Sequence, residues 1–362
     1  MPRTRPYRFL APPRAHPAAA HASATPGLRH ELHGFSDTGT LDAKDLGARL
    51  RSGPRPEIPS GTTFSRIVLL AWSGLLATVV GCSRAALDAI APPEGVVCPS
   101  SVLPAGDTNQ TVEVDGDTRS YVLHVPSTYD GSKPVPLVLD FHALPSTGAR
   151  ERATSPYPAQ TDPEGAIMAF PDGLPGPSGT AWNVGPCCVP DVDDVAFARA
   201  VVADVRNLAC VDPRRVYAVG PSMGGGMAYY VACHAADVFA AIAPWAFDLL
   251  EENVTDCKPT RPITVVSFRG AADTFVPFGG GTPATPVVPS MAVTFLGAQA
   301  TFEKWAELDR CTDPPSAEDS NGCVAHSSCQ GGVEVILCTK EGAGQEYNNA
   351  SLGWTVLKRH TL

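Results

Sequence analysis

The sequence lacks two features that would favour a membrane span or a nucleic-acid partner. Its apolar run from Ile67 to Val80 has 14 residues, which is too short to cross a bilayer comfortably. Basic residues are scarce after residue 81, where the chain has 17 Lys/Arg and 32 Asp/Glu. Residues 1–81 have 10 Lys/Arg and 5 Asp/Glu. An acidic body of this kind argues against nucleic acid and anionic membrane surfaces as partners.

Cysteine is absent before Cys82, so all 11 cysteines lie from that position onward. Such a density is unusual in cytosolic proteins and indicates an oxidising compartment. Zinc is the rival explanation, but no C-x-x-C motif has the usual second half, and Cys187 and Cys188 are adjacent. The sequence therefore predicts disulfides, with no metal site and no cofactor.

The first 82 residues are expected to precede the folded domain. Residues 1–60 are rich in Arg, Pro, Ala and Gly without sustained periodicity, which is typical of disorder or of sequence upstream of the true translation start. Residues 61–82 combine a positive flank, an apolar core and small final residues, as secretory signals do. Their end, Val79-Val80-Gly81-Cys82, also resembles the lipobox of bacterial lipoproteins, in which Cys82 would be lipidated. A plain signal peptide or an uncleaved anchor is the alternative. The cysteine count favours the lipobox, because the ten cysteines beyond Cys82 are an even number and could form five disulfides.

Residues 83–97 predict a tether, and the domain that follows, 98–362, alternates strands with helices. Asp115-Gly116 predicts the turn of a hairpin between Thr111–Val114 and Arg119–Val125. Apolar runs predict strands, and three- and four-residue periodicity predicts helices. The strands are expected at 136–141, 166–170, 216–219, 239–243, 263–268 and 333–337, and the helices at 194–210, 226–233, 292–308 and 352–360. This alternation predicts an α/β fold, with a mostly parallel sheet covered by helices on both faces.

The segment Gly220-Pro221-Ser222-Met223-Gly224 is a G-x-S-x-G motif between a predicted strand and a predicted helix. This context is that of a nucleophile elbow, where the serine occupies a sharp, strained turn. The flanking glycines are needed because side chains there would clash with the neighbouring strand and helix. The Ser222 hydroxyl would then lie beside the free N–H groups of the helix N-terminus. An ordinary glycine-rich turn between a strand and a helix is the alternative.

Several further motifs follow one another along residues 98–362. They are Arg119–Pro126, Phe141-His142-Ala143, Phe170–Gly173, Trp182-Asn183, Val192–Phe197, Val211–Tyr217, the elbow, Phe239–Pro244 and Arg269–Phe278. Together they resemble the secreted polyhydroxybutyrate-depolymerase and feruloyl-esterase group of α/β-hydrolases, a carbohydrate esterase group. The resemblance implies a disulfide-stapled α/β-hydrolase fold and a small-molecule or polymeric carboxylic ester as substrate.

Acyl transfer of this kind needs a nucleophile, a base, an acid that orients the base and an oxyanion hole. Ser222 is the predicted nucleophile. The acid should follow a later strand, and the resemblance places it at Asp273, five residues beyond Phe268. A turn aspartate is the alternative there, and Asp248 is a weaker rival for the acid.

The oxyanion hole needs two N–H groups, and Met223, directly after the nucleophile, is expected to supply one. The second should come from the loop after the 136–141 strand, where the family has His-Gly and this chain has His142-Ala143. Either Ala143 or Leu144 could donate it. Trp182 is a candidate for substrate stacking, and a core position is the alternative for that residue.

The base is missing from its expected position. The family places a histidine in a glycine-rich turn after the last strand, and here that position is Gln345 in the turn 341–347. A primary amide has no useful basicity near neutral pH, so Gln345 cannot take the serine proton. His326, predicted on a loop, and His142 are weaker candidates. His234 would lie roughly 18 Å from Ser222 along a continuous helix, and we expect no other histidine to serve.

The family resemblance also implies disulfide partners. Cys233 is expected to pair with Cys257, and Cys311 with Cys329. One of Cys187 or Cys188 is expected to pair with Cys210. Ten cysteines allow many pairings, so spacing alone does not choose among them.

These observations lead to two main hypotheses. The first is a secreted, lipid-anchored serine esterase acting on feruloyl or acetyl esters of plant polysaccharide, or on short polyhydroxyalkanoates. The second is a catalytically silent relative that serves as a binding module in the cell envelope, because Gln345 replaces the base. Acyl transfer or peptide hydrolysis would use the same residues and is a third possibility. In each case, contact with a membrane is expected only through a lipid anchor.

Overall fold

The computed structural model describes residues 96–284 and 293–362. The predicted N-terminal segment 1–60, the signal 61–82 with Cys82, and residues 83–95 of the tether lie outside this part. Within it, every helix is too short or too polar to cross a membrane.

A nine-stranded sheet forms the centre of the described domain. Its strands are β1 Gly106–Val114, β2 Asp117–Val125, β3 Val135–Asp140, β4 Ile167–Pro171, β7 Val211–Pro221, β8 Ala241–Trp245, β9 Thr264–Gly270, β10 Cys323–His326 and β11 Val335–Lys340. Their order in the sheet is β1-β2-β4-β3-β7-β8-β9-β11-β10. Neighbouring strands from β4 across to β11 are parallel, whereas the pairs β2–β4, β1–β2 and β10–β11 are antiparallel. A separate short hairpin consists of β5 Leu174–Gly176 and β6 Gly179–Ala181.

Helices cover both faces of this sheet. They are α1 Gly148–Thr154, α2 Pro158–Thr161, α3 Asp194–Leu208, α4 Met223–His234, α5 Ala298–Leu308 and α6 Ala350–Leu357. In β2, Tyr121, Leu123 and Val125 face one apolar cluster, which also contains residues of α3, α4 and α5. The intervening Val122 faces the other cluster, together with residues of α6. The mixed, mostly parallel sheet with two covered faces confirms the predicted fold class.

The strand order creates a crevice where the functional residues gather. β3 has β4 on one side and β7 on the other, so the chain changes direction across the sheet at this point. In open α/β sheets, ligands bind beyond the carboxyl ends of the strands at such a switch point. The loops that leave β3 and β7 start here, and the second of them carries Ser222.

Two predicted elements differ from the structure. The helix expected over 292–308 begins only at Ala298, because Gly297 has φ of 92° and lies outside the helical region. The sequence predicts that His326 lies on a loop between Cys323 and Cys329. In the structure Cys323–His326 forms β10, which pairs with β11 at the edge of the sheet. The strand is only four residues long, and a short edge strand gives little periodic signal.

All ten cysteines of the described residues are paired. Cys233–Cys257 and Cys311–Cys329 are the two pairs that the family resemblance implied. Cys323–Cys338 also joins β10 to β11.

The expectation for Cys210 is wrong, because this residue pairs with Cys98, while Cys187 and Cys188 pair with each other. The physical reason is distance along the sheet. Cys210 directly precedes the 11-residue strand β7, which spans roughly 36 Å at ~3.3 Å per residue. Cys187 borders the cavity at Ser222, beyond the opposite end of that strand.

Candidate active site

Ser222 occupies the turn between β7 and α4 with φ of 48° and ψ of −122°. This positive φ is rare for a residue with a side chain and costs on the order of 1–3 kcal/mol. Two hydrogen bonds hold the turn: the Ser222 amide donates to the Trp245 carbonyl at 2.9 Å, and the Gly226 amide donates to the Ser222 carbonyl at 3.0 Å. The serine is therefore held in a strained conformation by its neighbours, as the elbow motif predicts.

The two outer glycines of the motif are required by close backbone contacts. A Cβ atom on Gly220 would lie 2.5 Å from the Phe141 carbonyl oxygen, and one on Gly224 would lie only 1.8 Å from the same atom. Both distances are far below van der Waals contact. The end of β3 and the start of α4 can therefore approach each other only because these positions carry no side chain.

Gln345 lies directly beside the serine. It belongs to the turn between β11 and α6, and its Nε2 donates a hydrogen bond to Ser222 Oγ at 3.0 Å. The position expected to hold the base is thus in contact with the position expected to hold the nucleophile. The chemistry of the contact is different, because an amide nitrogen donates a hydrogen bond and cannot accept the serine proton.

Asp273 lies on the loop after β9, with its side chain fully buried. Its Oδ1 accepts hydrogen bonds from the amides of Phe275 and Val276 at 2.9 and 3.0 Å. Its Oδ2 has no hydrogen-bond partner among the described residues. A buried carboxylate oxygen without a donor is unusual, because most buried polar atoms are paired.

The loop that carries Asp273 packs on the turn that carries Gln345. The Ala272 amide donates to the Ala343 carbonyl at 2.8 Å, and a Cβ on Gly270 would lie 2.1 Å from the Gly344 carbonyl oxygen. The two loops leave the neighbouring strands β9 and β11. The fold therefore brings the sequence-predicted acid and the Gln345 position into adjoining turns.

Asp248, the weaker rival for the acid, has a different environment. It follows β8 and forms a buried ion pair with Arg269, with Asp248 Oδ2 and Arg269 Nη1 at 2.5 Å. Burial raises the pKa of Asp248 to about 7, although the Arg269 guanidinium opposes that rise. Asp248 pairs with Arg269 at 2.5 Å, whereas the distance from Arg269 to Asp273 is 3.9 Å, so the geometry favours a counter-ion role for Asp248.

The loop after β3 carries the candidate oxyanion donors. The Phe141 amide donates to the Val219 carbonyl at 2.9 Å, which ties the start of this loop to β7. Leu144 and Met223 both border the cavity beside Ser222, whereas Ala143 does not. Of the two residues that the sequence left open, the geometry favours Leu144.

His142 supports this loop from below and is fully buried. Its Nδ1 donates to the Ala143 carbonyl at 2.8 Å, and its Nε2 accepts from the Gly173 amide at 2.9 Å. Burial lowers the pKa of the imidazole, which favours this neutral form. Both ring nitrogens are therefore engaged in fixing the loop, and neither contacts Ser222.

Trp182 is a core residue, so the prediction of substrate stacking is wrong. Its side chain is 0% exposed and does not border the cavity. Its Nε1 donates to the His142 carbonyl at 2.9 Å, and its ring lies edge-on to Phe141. The indole thus stabilises the loop after β3 instead of meeting a ligand.

The remaining histidines of the described residues also lie away from the cavity. His326 is in β10, where its ring stacks on Phe302 and its Nδ1 donates to the Asp313 carbonyl at 2.8 Å. His234 ends the uninterrupted helix α4. His124 contacts Asp107 and Asp162, and His360 contacts Glu334.

A cavity of about 280 Å³ opens at Ser222. Among the described residues its walls are mostly apolar and carry no charged side chain. They are formed by Leu144, Pro145, Ser178, Cys187, Ser222, Met223, Phe247, Leu250, Phe275, Val276, Val293, Phe295 and Gln345. Phe247 and Phe295 meet edge to face at 5.2 Å. Such a cavity suits an uncharged, apolar group held next to the Ser222 hydroxyl.

Sequence reasoning missed Arg269 and the wall around Ser178. The signal for Arg269 was present, since an arginine at the end of the apolar run 263–268 must be buried with a partner. The sequence indicates Asp248 only as a candidate acid and does not identify it as the partner of Arg269. Ser178 lies at the tip of the β5–β6 hairpin, which has too few residues to show a periodic pattern.

The sheet order and the strained serine between β7 and α4 define an α/β-hydrolase. No family model matches the chain. An acetyl xylan esterase from Aspergillus awamori shares this fold, with a TM-score of 0.50 and 16% identity over 69% of this chain and 99% of its own.

Two relatives with higher sequence identity are named feruloyl esterases. Feruloyl esterase B of Piromyces equi is 42% identical over 247 residues, which are 67% of this chain and 46% of that protein. The chain thus spans less than half of that relative. Feruloyl esterase C of Emericella nidulans is 30% identical over 202 residues, which are 54% of this chain and 69% of that protein. The chain belongs to the feruloyl esterase family of carboxylic ester hydrolases.

Proposed function

We propose that this chain is a secreted serine esterase in which Ser222 is the nucleophile and Asp273 is the acid. One observation carries the proposal. The Ser222 hydroxyl lies in a strained elbow, borders an apolar cavity of about 280 Å³, and contacts position 345 at 3.0 Å. An ester carbonyl bound in this cavity would lie within reach of Oγ.

The oxyanion would be held by backbone amides. Met223 is the first residue of α4, so its N–H is not used within the helix. Leu144 borders the same cavity from the loop after β3. Two such donors stabilise the charge that develops on the carbonyl oxygen, which is commonly the largest single contribution to acyl-transfer catalysis.

Among the candidate ester classes we favour a feruloyl ester, which has an aromatic acyl group. Phe247, Phe275 and Phe295 line the cavity, and an acetyl group would leave most of it unfilled. A short polyhydroxyalkanoate would fill the volume but would not use the aromatic walls. The name of the Piromyces equi relative supports the same choice.

Gln345 sets the expected rate. Since its amide donates to Oγ, no neighbouring group takes the serine proton as attack begins. Serine hydrolases that lack a triad member keep only ~10³–10⁴-fold acceleration over water, supplied by binding and the oxyanion hole. We therefore expect slow turnover.

The second candidate function is a binding module of the cell envelope without turnover. The Gln345–Ser222 hydrogen bond favours it, because the amide occupies the hydroxyl that a base would activate. A lipid anchor at Cys82 would place either form of the protein at a membrane. The five disulfides of the described residues support an extracytoplasmic location for both.

A fluorophosphonate probe separates the two candidates. The secreted esterase should be labelled slowly at Ser222, and Gln345→His should speed the labelling. Ser222→Ala is the control and should show none. Absence of labelling in both the unmodified chain and Gln345→His would refute the esterase, whereas binding of an aryl ester that is never hydrolysed by either form would favour the binding module.

A further inference from the structure

A buried arginine connects the loop after β8 to the loop after β9, which carries the candidate acid. Arg269 lies in β9 and is 0% exposed. Its Nη1 pairs with Asp248 Oδ2 at 2.5 Å, and its Nη2 donates to the Val276 carbonyl at 2.7 Å. Val276 in turn donates its amide to Asp273 Oδ1 at 3.0 Å. A continuous set of contacts therefore runs from the loop after β8 to the acid.

Arg269 also lies close to the free oxygen of the acid. The distance from its Nη2 to Asp273 Oδ2 is 3.9 Å, which is too long for a hydrogen bond. The guanidinium is directed instead to Asp248 and to the Val276 carbonyl. Asp273 Oδ2 is consequently left without a donor among the described residues.

Removing the charge of Asp248 would change the contacts of the Arg269 guanidinium. A buried guanidinium without a counter-ion is strongly unfavourable. The next carboxylate oxygen is Asp273 Oδ2, and a movement of little more than 1 Å would bring it into contact with Arg269. The acid would then use its free oxygen for Arg269 and would no longer offer it to the residue at position 345.

We propose that Asp248 is a positioning residue that neutralises Arg269 and so keeps Asp273 Oδ2 free to orient the group at position 345. This inference rests on the proposed function, in which Asp273 is the acid. It assigns opposite roles to two carboxylates around one arginine: Asp248 holds the guanidinium, and Asp273 stays available. It also gives a reason for the charged pair within the apolar surroundings of β8 and β9.

The test uses Gln345→His as the parent, because a base must be present for the acid to have an effect. Asp248→Asn should lower kcat by about 10²-fold, the usual cost of misplacing a catalytic group by ~1 Å, with little change in KM. Adding Arg269→Met to Asp248→Asn should restore most of kcat, since no buried cation is left to attract Asp273. Asp212→Asn is the matched control, because Asp212 is equally buried and pairs with Arg215 at the opposite end of β7.

If Asp248 had only a structural role, adding Arg269→Met to Asp248→Asn would not restore kcat. If Asp248→Asn keeps the parental kcat, or if the double variant is as slow as Asp248→Asn, the proposal is wrong. Thermal melting of each variant identifies any loss of fold. Should Asp248→Asn fail to fold, the Asp248→Asn/Arg269→Met double variant still decides, because it removes the buried cation and must keep most of the parental kcat; a slow double variant that folds overturns the proposal.

A second readout does not depend on turnover. In the Gln345→His parent, the ring N–H that faces Asp273 should give a strongly downfield proton signal in the NMR spectrum. Asp248→Asn should abolish that signal and Asp212→Asn should keep it. A signal that survives Asp248→Asn, or is missing from the parent, overturns the proposal. Failure of the esterase function would instead appear as a parent with a normal signal and no reaction at Ser222.

Discussion

The side-chain amide of Gln345 donates a hydrogen bond to the Ser222 hydroxyl at 3.0 Å, across 123 residues of sequence. In a serine hydrolase this contact normally belongs to an imidazole that accepts the serine proton. Here the direction of the hydrogen bond is reversed. If Ser222 is the nucleophile, as we propose, position 345 has the location of its base but carries a side chain that cannot act as one.

The free oxygen of Asp273 is consistent with the same account. Two backbone amides hold Oδ1, and Oδ2 is buried without a donor among the described residues. In a complete triad, the base donates its second ring N–H to such an oxygen. We therefore expect that the single substitution Gln345→His would supply the missing base of the proposed site.

The elbow depends on the absence of a side chain at Gly224. We expect Gly224→Ala to lower the free energy of unfolding by about 1–3 kcal/mol or more, because the new Cβ would lie 1.8 Å from the Phe141 carbonyl oxygen. Chemical denaturation measures this loss. Gly279→Ala is the control, since nothing lies within 4 Å of its Cβ position, and its effect should stay within about 0.5 kcal/mol. Equal stability of the two variants would contradict the packing argument.

Burial raises the pKa of Asp309 to about 7, while a hydrogen bond from the Ile263 amide and the charge of Arg261 oppose the rise. A carboxyl whose pKa is higher in the folded chain binds more protons there than when unfolded. Its stabilising contribution is therefore complete below about pH 4 and is lost as pH rises through 7, by at most about 1.4 kcal/mol per pH unit.

Urea denaturation at pH 5 and pH 8 tests this dependence. Asp309→Asn should reduce the difference in stability between the two pH values, because the amide does not titrate but can still accept the hydrogen bond from Ile263. Asp130→Asn, at an exposed position, should leave that difference nearly unchanged. An unaltered difference in Asp309→Asn would show that the group does not titrate in this range.

The disulfide between Cys98 and Cys210 joins residues 112 positions apart. Replacing both by serine should lower the free energy of unfolding by about 2–5 kcal/mol, since a long closed loop restricts the unfolded chain most. Cys323–Cys338 closes only 15 residues, and its double replacement should cost less. Denaturation of both variants under non-reducing conditions provides the comparison. A larger loss from the short loop would contradict this ranking.

The sequence predicts the central strands and the elbow because their signals are local. An apolar run such as 263–268 needs no distant partner to indicate a buried strand, and the spacing of Gly220 and Gly224 around Ser222 follows from backbone contact. Gln345 is equally visible, because it occupies the position of a histidine in an otherwise recognisable turn.

The features that the sequence does not predict depend on long-range contacts. The partner of Cys210 is Cys98, which lies 112 residues earlier in the chain, so no local pattern indicates the contact. Trp182 is buried against a different loop, where its indole donates to the His142 carbonyl. The pairing of Asp248 with Arg269 requires β8 and β9 to lie side by side, and no local pattern encodes which carboxylate an arginine will choose.

Hydrolysis of a small aryl ester by Gln345→His tests whether a base at position 345 is all that the proposed site lacks. An imidazole at this position can accept the serine proton, and kcat should rise by about 10²–10⁴-fold, the usual contribution of a general base. Gln345→Asn, which keeps an amide, should give no such rise. We expect a slow unmodified chain and a fast Gln345→His variant. An unmodified chain that already turns over rapidly, with no gain from Gln345→His, would contradict it and would require a different base.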